Sequence, residues 1–172
     1  MLNYFALLGL EPRFDLSESE VHQRYIGLQR ESHPDKMTHK TERERLEAIQ
    51  RAMDGNEAYE ALKSPLGRAQ HLLALRGIQV NSEDDTVKPD HALLIEMMEL
   101  REHIESAASP LALGQVVDDI KKAAALAQKA LADCFARSAW DEAAQQTIRL
   151  RYLMKSLEEA HMHLYQRQRA SS

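Results

Sequence analysis

The stretch Ser32-His33-Pro34-Asp35-Lys36 decides how the chain is divided, because it interrupts two segments that both have helical patterns. Pro34 has no backbone N–H, and its ring clashes with a preceding helical turn. It also moves His33 out of the helical region of the backbone. The helix must therefore end here, with an imidazole and a carboxylate on either side of a stiff corner. Such a corner is suited to contact with another molecule, although a solvated polar turn explains these residues equally well.

Both flanking segments predict amphipathic helices that pack as an antiparallel pair. Ser17 and Glu20 have the spacing of a capping box, and Thr41 and Glu44 repeat it. We expect the first helix to reach about residue 32 and the second, of similar length, about residue 63. The predicted apolar faces are Val21, Tyr25, Leu28 and Ser32 in the first helix and Leu46, Ile49, Met53, Tyr59 and Leu62 in the second. Gly55 weakens the second helix by about 1 kcal/mol relative to alanine.

Two shorter helices belong with this pair. Asn3 can cap a helix that ends at Gly9, where a glycine followed by a hydrophobic residue is typical of a helix C-terminus. Ser64 followed by Pro65 is a typical helix start, and that helix ends at Gly77. The N-terminal part is therefore predicted to be a small helical domain.

A polar segment separates this domain from a second one. Residues 79–89 are acidic and have no helical pattern, so we expect a linker between domains at 1–78 and 90–172. The second domain has three helical segments with short connections, which predict an up-down-up three-helix bundle. These segments are 90–108, 110–137 and 139–167, with caps at Asp90, Ser109 and Ser138. The predicted fold class is all-α throughout.

The composition is that of a folded helical protein with an unevenly distributed charge. The 172 residues include only 6 glycines and 5 prolines, and the net charge is −5. Residues 81–119 contain 10 acidic and 2 basic residues, which argues against nucleic-acid binding there. No segment has the roughly 18 consecutive apolar residues of a membrane span. The N-terminus lacks the basic start of a signal peptide, while a removed transit peptide stays an alternative.

Cysteine and histidine usage gives little support for catalysis or metal binding. Cys134 is the only cysteine, which excludes an internal disulfide, and we expect a small buried side chain there. A metalloprotein is a minor alternative, since loop ligands without supporting hydrogen bonds make a poor site. Its candidate ligands would be Glu31, His33, Asp35 and His39, or His161 and His163. Because no catalytic motif is found either, we expect no metal, no cofactor and no catalytic residues.

The helix predicted at 91–108 has more apolar residues than one bundle face requires. Its core face comprises Leu93, Met97, Leu100 and Ile104, which lie within about 60° of one another. Leu94, Ile95 and Met98 lie about 100–200° from Leu93, beside Glu102 and Glu105. An apolar centre with a carboxylate rim predicts a patch that binds a partner. Burial of the three apolar side chains would contribute roughly 4–9 kcal/mol to the free energy of binding before the costs of association are subtracted. The alternative is a wider core face that the N-terminal domain covers.

Several motifs point to a known family. The N-terminal part contains Tyr4-Phe5, His33-Pro34-Asp35, Asn56-Glu57-Ala58-Tyr59 and Ser64-Pro65-Leu66-x-Arg68-Ala69, and the C-terminal part contains Glu99-Leu100-Arg101-Glu102 and Trp140-Asp141. Residues 1–76 thereby resemble a J-domain, and the whole chain resembles the HscB family of co-chaperones in iron–sulfur cluster assembly. The chain departs from the family pattern at two positions. Ser32 stands where the family usually has a tyrosine, and Ser106 stands where an acidic residue is common. No cysteine precedes Cys134 in this sequence, so we do not expect the N-terminal zinc module of some eukaryotic relatives.

The resemblance implies an adaptor with two protein partners and no enzymatic activity of its own. Its J-domain would engage a DnaK-type chaperone, HscA, and stimulate ATP hydrolysis by that chaperone. The implied chaperone-binding residues are Arg24, Arg30, His33, Pro34, Asp35 and Lys36. Its C-terminal bundle would bind the iron–sulfur scaffold protein IscU and deliver it. The implied scaffold-binding residues are Leu94, Ile95, Met98, Glu99, Glu102 and Tyr152.

The remaining expectations concern the oligomeric state, the partners and the cellular location of the protein. We expect a monomer, with weak self-association as an alternative, and neither nucleic acid nor membrane as a partner. The bacterial cytoplasm is the expected location, with the mitochondrial matrix as the alternative if a transit peptide was removed. A general J-protein with a different client shares the N-terminal interpretation and differs only in what its C-terminal bundle binds.

Overall fold

The computed structural model describes residues 1–31, 41–81 and 87–170, and every element in these residues is an α-helix. The helices are α1 (Tyr4–Leu7), α2 (Glu18–Glu31), α3 (Glu42–Leu62), α4 (Pro65–Ala74), α5 (His91–Ser106), α6 (Pro110–Ala136) and α7 (Trp140–Ala170). They form two compact units, Met1–Gly77 and Ile78–Ser172. The corner at 32–36 and part of the predicted linker lie outside the described residues. Within those residues, no helix is both long and apolar enough to span a membrane.

The predicted capping residues begin most of the helices. Asn3, Ser64, Asp90 and Ser109 each accept a hydrogen bond from a backbone N–H in the first turn. Thr41 and Glu44 form both halves of a capping box. The caps predicted at Ser17 with Glu20 and at Ser138 need correction. Ser17 accepts from the Glu20 amide, but the Glu20 carboxylate pairs with Arg13. Ser138 has a φ of +56° and lies two residues before α7, so it is not the cap.

Helices α2 and α3 pack as the predicted antiparallel pair. Tyr25 stacks on Tyr59 with ring centroids 4.5 Å apart, and its hydroxyl donates to the Asn56 amide oxygen at 2.9 Å. Gln29 donates to the same oxygen at 2.8 Å. Gly55 lies directly against the Leu28 side chain, so a Cβ at this position would collide with it. The glycine therefore allows close helix contact, in addition to weakening the helix.

The predicted apolar face of α3 is wrong over the first half of the helix. Leu46, Ile49 and Met53 are 62%, 57% and 55% exposed. The buried residues of α3 are Gly55, Ala58 and Leu62, and the exposed three lie about 180–240° around the helix from Ala58. The two helices also differ in length, with 14 residues in α2 and 21 in α3. The small residues form the contact because they allow closer packing than the large ones.

In the C-terminal unit, α6 and α7 form the core and α5 packs beside them. Apolar side chains line the facing sides of the long helices, among them Ile120, Leu131, Ile148 and Leu153. Cys134 is buried among them, as predicted, and burial raises the pKa of its thiol. Val80, within the predicted linker, is fully buried, and its carbonyl accepts a hydrogen bond from Arg151 at 2.6 Å. The compact unit thus begins at Ile78.

Candidate functional site

Helix α5 is fixed to α7 by polar contacts at Glu96 and Met97. The Arg149 guanidinium donates to both carboxylate oxygens of Glu96 at 2.7–2.9 Å. The Tyr152 hydroxyl donates to the Met97 carbonyl at 2.6 Å. Two-point pairing of arginine with a carboxylate fixes orientation as well as distance. These bonds therefore determine which face of α5 is turned away from the bundle.

The face turned away contains the predicted apolar residues. Leu94 and Ile95 are each 44% exposed and Met98 is 72% exposed, and Glu99 and Glu102 beside them are also exposed. The core stripe of the same helix is buried at Leu93 and Ile104 and half-buried between them. Helical geometry thus correctly predicted that these three side chains point away from the core. We call Leu94, Ile95, Met98, Glu99 and Glu102 the α5 patch.

The α5 patch includes a shallow groove of about 560 Å³ that contains a basic residue not predicted from the sequence. Arg101 lines this groove together with Glu105, and the two side chains form an ion pair at 2.9 Å. The hydrogen bond to Glu105 raises the pKa of Arg101. The rim is therefore of mixed charge, although the predicted rim was acidic. The Glu99-Leu100-Arg101-Glu102 motif contains this arginine and is the signal that could have indicated it.

Tyr152 lies at the edge of α5, beside Met97 and Arg101. Its ring is half-buried and its hydroxyl is engaged with the α5 backbone. It is therefore close to the α5 patch in space, although about 50 residues later in the chain. Its role in binding stays a prediction.

The predicted chaperone-binding residues are described only in part. Arg24 and Arg30 are both exposed on α2. They are six positions apart in the helix, so they point about 120° apart around it and do not share one face. His33, Pro34, Asp35 and Lys36 lie outside the described residues. The chaperone-binding role of all six residues stays a prediction.

Two buried polar residues of the N-terminal unit were not predicted from the sequence. Arg68 donates to the carbonyls of Phe14, Leu62 and Lys63 at 2.9–3.3 Å, and burial lowers its pKa. His71 accepts a hydrogen bond from the Tyr4 amide at 3.0 Å, and burial lowers its pKa from the ordinary 6.5. Phe14 lies 54 residues from Arg68 and Tyr4 lies 67 residues from His71, so no local pattern indicated these two contacts. Both residues hold the N-terminal segment against α4.

The described residues contain no group of three or more histidine, cysteine, aspartate and glutamate side chains arranged to hold a metal ion. Of the histidines considered for a metal site, His163 lies on α7, where it is 4.0 Å from Glu159. Of the loop candidates, His33, Asp35 and His39 lie outside the described residues.

Comparison with known proteins gives consistent matches along the chain. Residues 89–161 match the model of the HSCB C-terminal oligomerisation domain. The "Co-chaperone protein HscB homolog" of Vibrio cholerae is 40% identical over 160 residues, which cover 90% of this chain and 92% of that protein. The homolog from Shewanella sp. (strain W3-18-1) is 45% identical over 104 residues, and the match covers 60% of this chain and 59% of that protein.

A solved structure shows the same fold. The chaperone HscB from Vibrio cholerae has a TM-score of 0.81 and 36% sequence identity, and the match covers 96% of this chain and 99% of that one. This likeness confirms the predicted architecture, an N-terminal J-domain followed by a C-terminal helical bundle. Matches in sequence and structure thus agree over both units. The chain belongs to the HscB family of co-chaperones.

Proposed function

We propose that this chain is a J-domain co-chaperone of iron–sulfur cluster assembly that presents a scaffold protein to a DnaK-type chaperone. Family membership supports the general role. The observation that carries the specific proposal is the α5 patch, whose apolar residues are exposed on a helix with a separate, buried core stripe. Exposed apolar residues with a polar rim are typical of protein-binding surfaces.

The α5 patch is suited to reversible binding of the scaffold IscU. Three exposed apolar side chains give a small buried area, and the costs of association offset much of the gain. Because a delivery protein must release its client, moderate affinity fits this role. Glu99 and Glu102 at the rim would favour a basic surface on the scaffold and oppose an acidic one.

The N-terminal unit would act on the chaperone HscA. In this proposal Asp35 pairs with an arginine of the chaperone, His33 supplies a directional hydrogen bond, and Pro34 fixes the backbone between them. The exposed Arg24 and Arg30 would attract and orient the acidic surface of the chaperone. The co-chaperone performs no chemistry and accelerates ATP hydrolysis by its partner.

Scaffold binding is tested with the double variant Leu94→Ala/Met98→Ala and purified IscU in isothermal titration calorimetry. We expect affinity to fall by about tenfold or more, because central apolar contacts dominate small interfaces. The matched control is Leu111→Ala/Leu126→Ala, which truncates two exposed leucines on α6 of the same unit. Equal affinities for the two double variants would contradict the proposed site.

The chaperone contact is tested by single-turnover ATP hydrolysis by HscA. His33→Gln is expected to abolish stimulation while IscU binding stays at the wild-type level. Full stimulation by His33→Gln would contradict the proposed role of the corner. A client other than IscU is tested in parallel, since a general J-protein would bind unfolded peptides more tightly than the folded scaffold.

A further inference from the structure

A cleft of about 710 Å³ lies between α5, α7 and the segment before α5, which contributes Asn81 and residues 87–89, and it is beside the α5 patch. Met97, Ile148 and the Tyr152 ring give it apolar walls. Its volume is within the range of sites that bind small molecules or peptide side chains. We call it the α5–α7 cleft.

The described lining of the α5–α7 cleft differs in charge from the chain as a whole. Among the lining residues that the structure describes, four are basic and one, Glu159, is acidic. The basic residues are Lys88, Arg101, Arg151 and Lys155. The whole chain, in contrast, has a net charge of −5. A concave surface with clustered charge of one sign attracts groups of the opposite charge.

The positions of these basic groups indicate a site with some preorganisation. Arg151 is held at one edge because its guanidinium donates to the Val80 carbonyl at 2.6 Å. Arg101 is held at another edge by Glu105. Lys155 lies on the exposed side of α7. Fixed and movable cations at the rim can engage more than one carboxylate.

The α5–α7 cleft is continuous with the α5 patch. Met97 and Arg101 line the cleft, and Arg101 also lines the groove of the patch. Around α5, Arg101 lies about 20° from Leu94. A protein that covers Leu94 and Met98 would therefore extend over the mouth of the cleft.

We propose that the α5–α7 cleft binds an acidic peptide segment of the scaffold protein whose apolar surface covers the α5 patch. The inference rests on the proposed function and extends it by assigning the chemistry of a second contact. Aspartate or glutamate side chains would pair with the basic rim, and the apolar walls would contact the aliphatic parts of the segment. The carboxylates Glu99 and Glu102 of the patch and the basic side chains of the cleft would then set the orientation of the scaffold.

The test compares two charge reversals on the full-length chain with purified IscU as the probe. Lys155→Glu changes the lining of the cleft, and Lys121→Glu makes the same change at an exposed position of α6. We expect Lys155→Glu to weaken binding about three- to tenfold at low salt, and the difference to shrink as salt screens the charges. Lys121→Glu is expected to change affinity by less than about twofold.

Carbodiimide cross-linking gives an independent readout, because it joins a lysine amine to a carboxylate in direct contact. In the wild-type complex, mass spectrometry is expected to find Lys155 joined to an aspartate or glutamate of IscU. Cross-links from Lys155 only to carboxylates of its own chain would overturn the proposal. Equal affinities of Lys155→Glu and Lys121→Glu would also overturn it.

The two proposals fail in different ways. If Leu94→Ala/Met98→Ala weakens binding and Lys155→Glu does not, the α5 patch is supported and the α5–α7 cleft is rejected. If IscU does not bind the wild-type chain, both proposals are wrong. A loss of binding in Lys155→Glu counts only if its far-UV circular dichroism and unfolding midpoint match those of the wild type.

Discussion

Helices α3 and α5 each expose three large apolar side chains, yet the sequence predicted only one of the two cases. In α3 these are Leu46, Ile49 and Met53, and in α5 they are Leu94, Ile95 and Met98. Helix α5 has a second, complete stripe of large apolar residues, so the excess of apolar residues was visible in the sequence. Helix α3 makes its buried contact with Gly55, Ala58 and Leu62, two of which have little apolar side chain. Size alone therefore identified the wrong face of α3.

The difference shows that close helix packing can depend on small side chains that a hydrophobicity pattern underrates. Leu28 of α2 occupies the space that a side chain at position 55 would fill. A large residue there would hold the helices apart. The apolar surplus of a helix can be recognised only when both of its apolar stripes contain large residues.

An isoleucine series tests this comparison with the largest expected effect. Ile104 on the buried side of α5 is 1% exposed, whereas Ile49 on α3 and Ile95 on α5 are exposed. Ile104→Ala is expected to lower the free energy of unfolding by about 2–5 kcal/mol, because it leaves a cavity. Ile49→Ala and Ile95→Ala are expected to change it by no more than about 0.5 kcal/mol.

The series is measured by urea denaturation of the full chain. The single tryptophan, Trp140, reports on the C-terminal unit, and far-UV circular dichroism reports on all helices. If Ile49→Ala lowered the free energy of unfolding by more than about 2 kcal/mol, the first half of α3 would be part of a core.

The sequence predicted the all-α fold, the helix bounds to within a few residues and the apolar residues of the α5 patch. These depend on local patterns such as caps, helical spacing and glycine at helix ends. The contacts of Arg68 with Phe14 and of Tyr152 with Met97 could not be predicted, because these partners lie 54 and 55 residues away in the chain. Arg101 was visible in a motif, but its pairing with Glu105 and its place between patch and cleft required the structure.

Arg68 provides the second largest expected effect, because it fixes the end of α3 whose small residues form the contact. Arg68→Met keeps most of the side-chain volume but removes the donors to the Phe14, Leu62 and Lys63 carbonyls. Leaving buried carbonyls unpaired is expected to cost about 3 kcal/mol in the free energy of unfolding. Urea denaturation followed by circular dichroism measures this loss.

The control for this variant is Arg51→Met, which removes an exposed arginine of α3. It is expected to change stability by no more than about 0.5 kcal/mol. Equal stabilities of the two variants would show that the three carbonyls find other donors and that Arg68 does not fix the end of α3.

A pair of glycine substitutions tests the close contact between α2 and α3. Gly27 of α2 has open space around its Cα, whereas Gly55 of α3 faces Leu28. Gly27→Ala is expected to stabilise the chain by about 0.5–1 kcal/mol, because alanine favours the helix. Gly55→Ala is expected to destabilise it by about 1–2 kcal/mol, because Leu28 must move. Thermal unfolding of both variants gives the comparison, and stabilisation by Gly55→Ala would contradict the small-residue contact.

The smallest expected effect is a pH dependence confined to the N-terminal unit. His71 is buried between Tyr4 and Phe5 and accepts the Tyr4 amide hydrogen, and its pKa is lowered from 6.5 by burial. The unfolded chain therefore takes up a proton at a higher pH than the folded chain does. The stability that neutral His71 contributes is fully present above pH 6.5 and falls as the pH drops below that value.

His71→Gln is expected to flatten this slope of stability against pH, measured as urea midpoints followed by circular dichroism. His103→Gln, at an exposed position of α5, is expected to leave the slope unchanged. An unaltered slope in His71→Gln would show that another group causes the pH dependence.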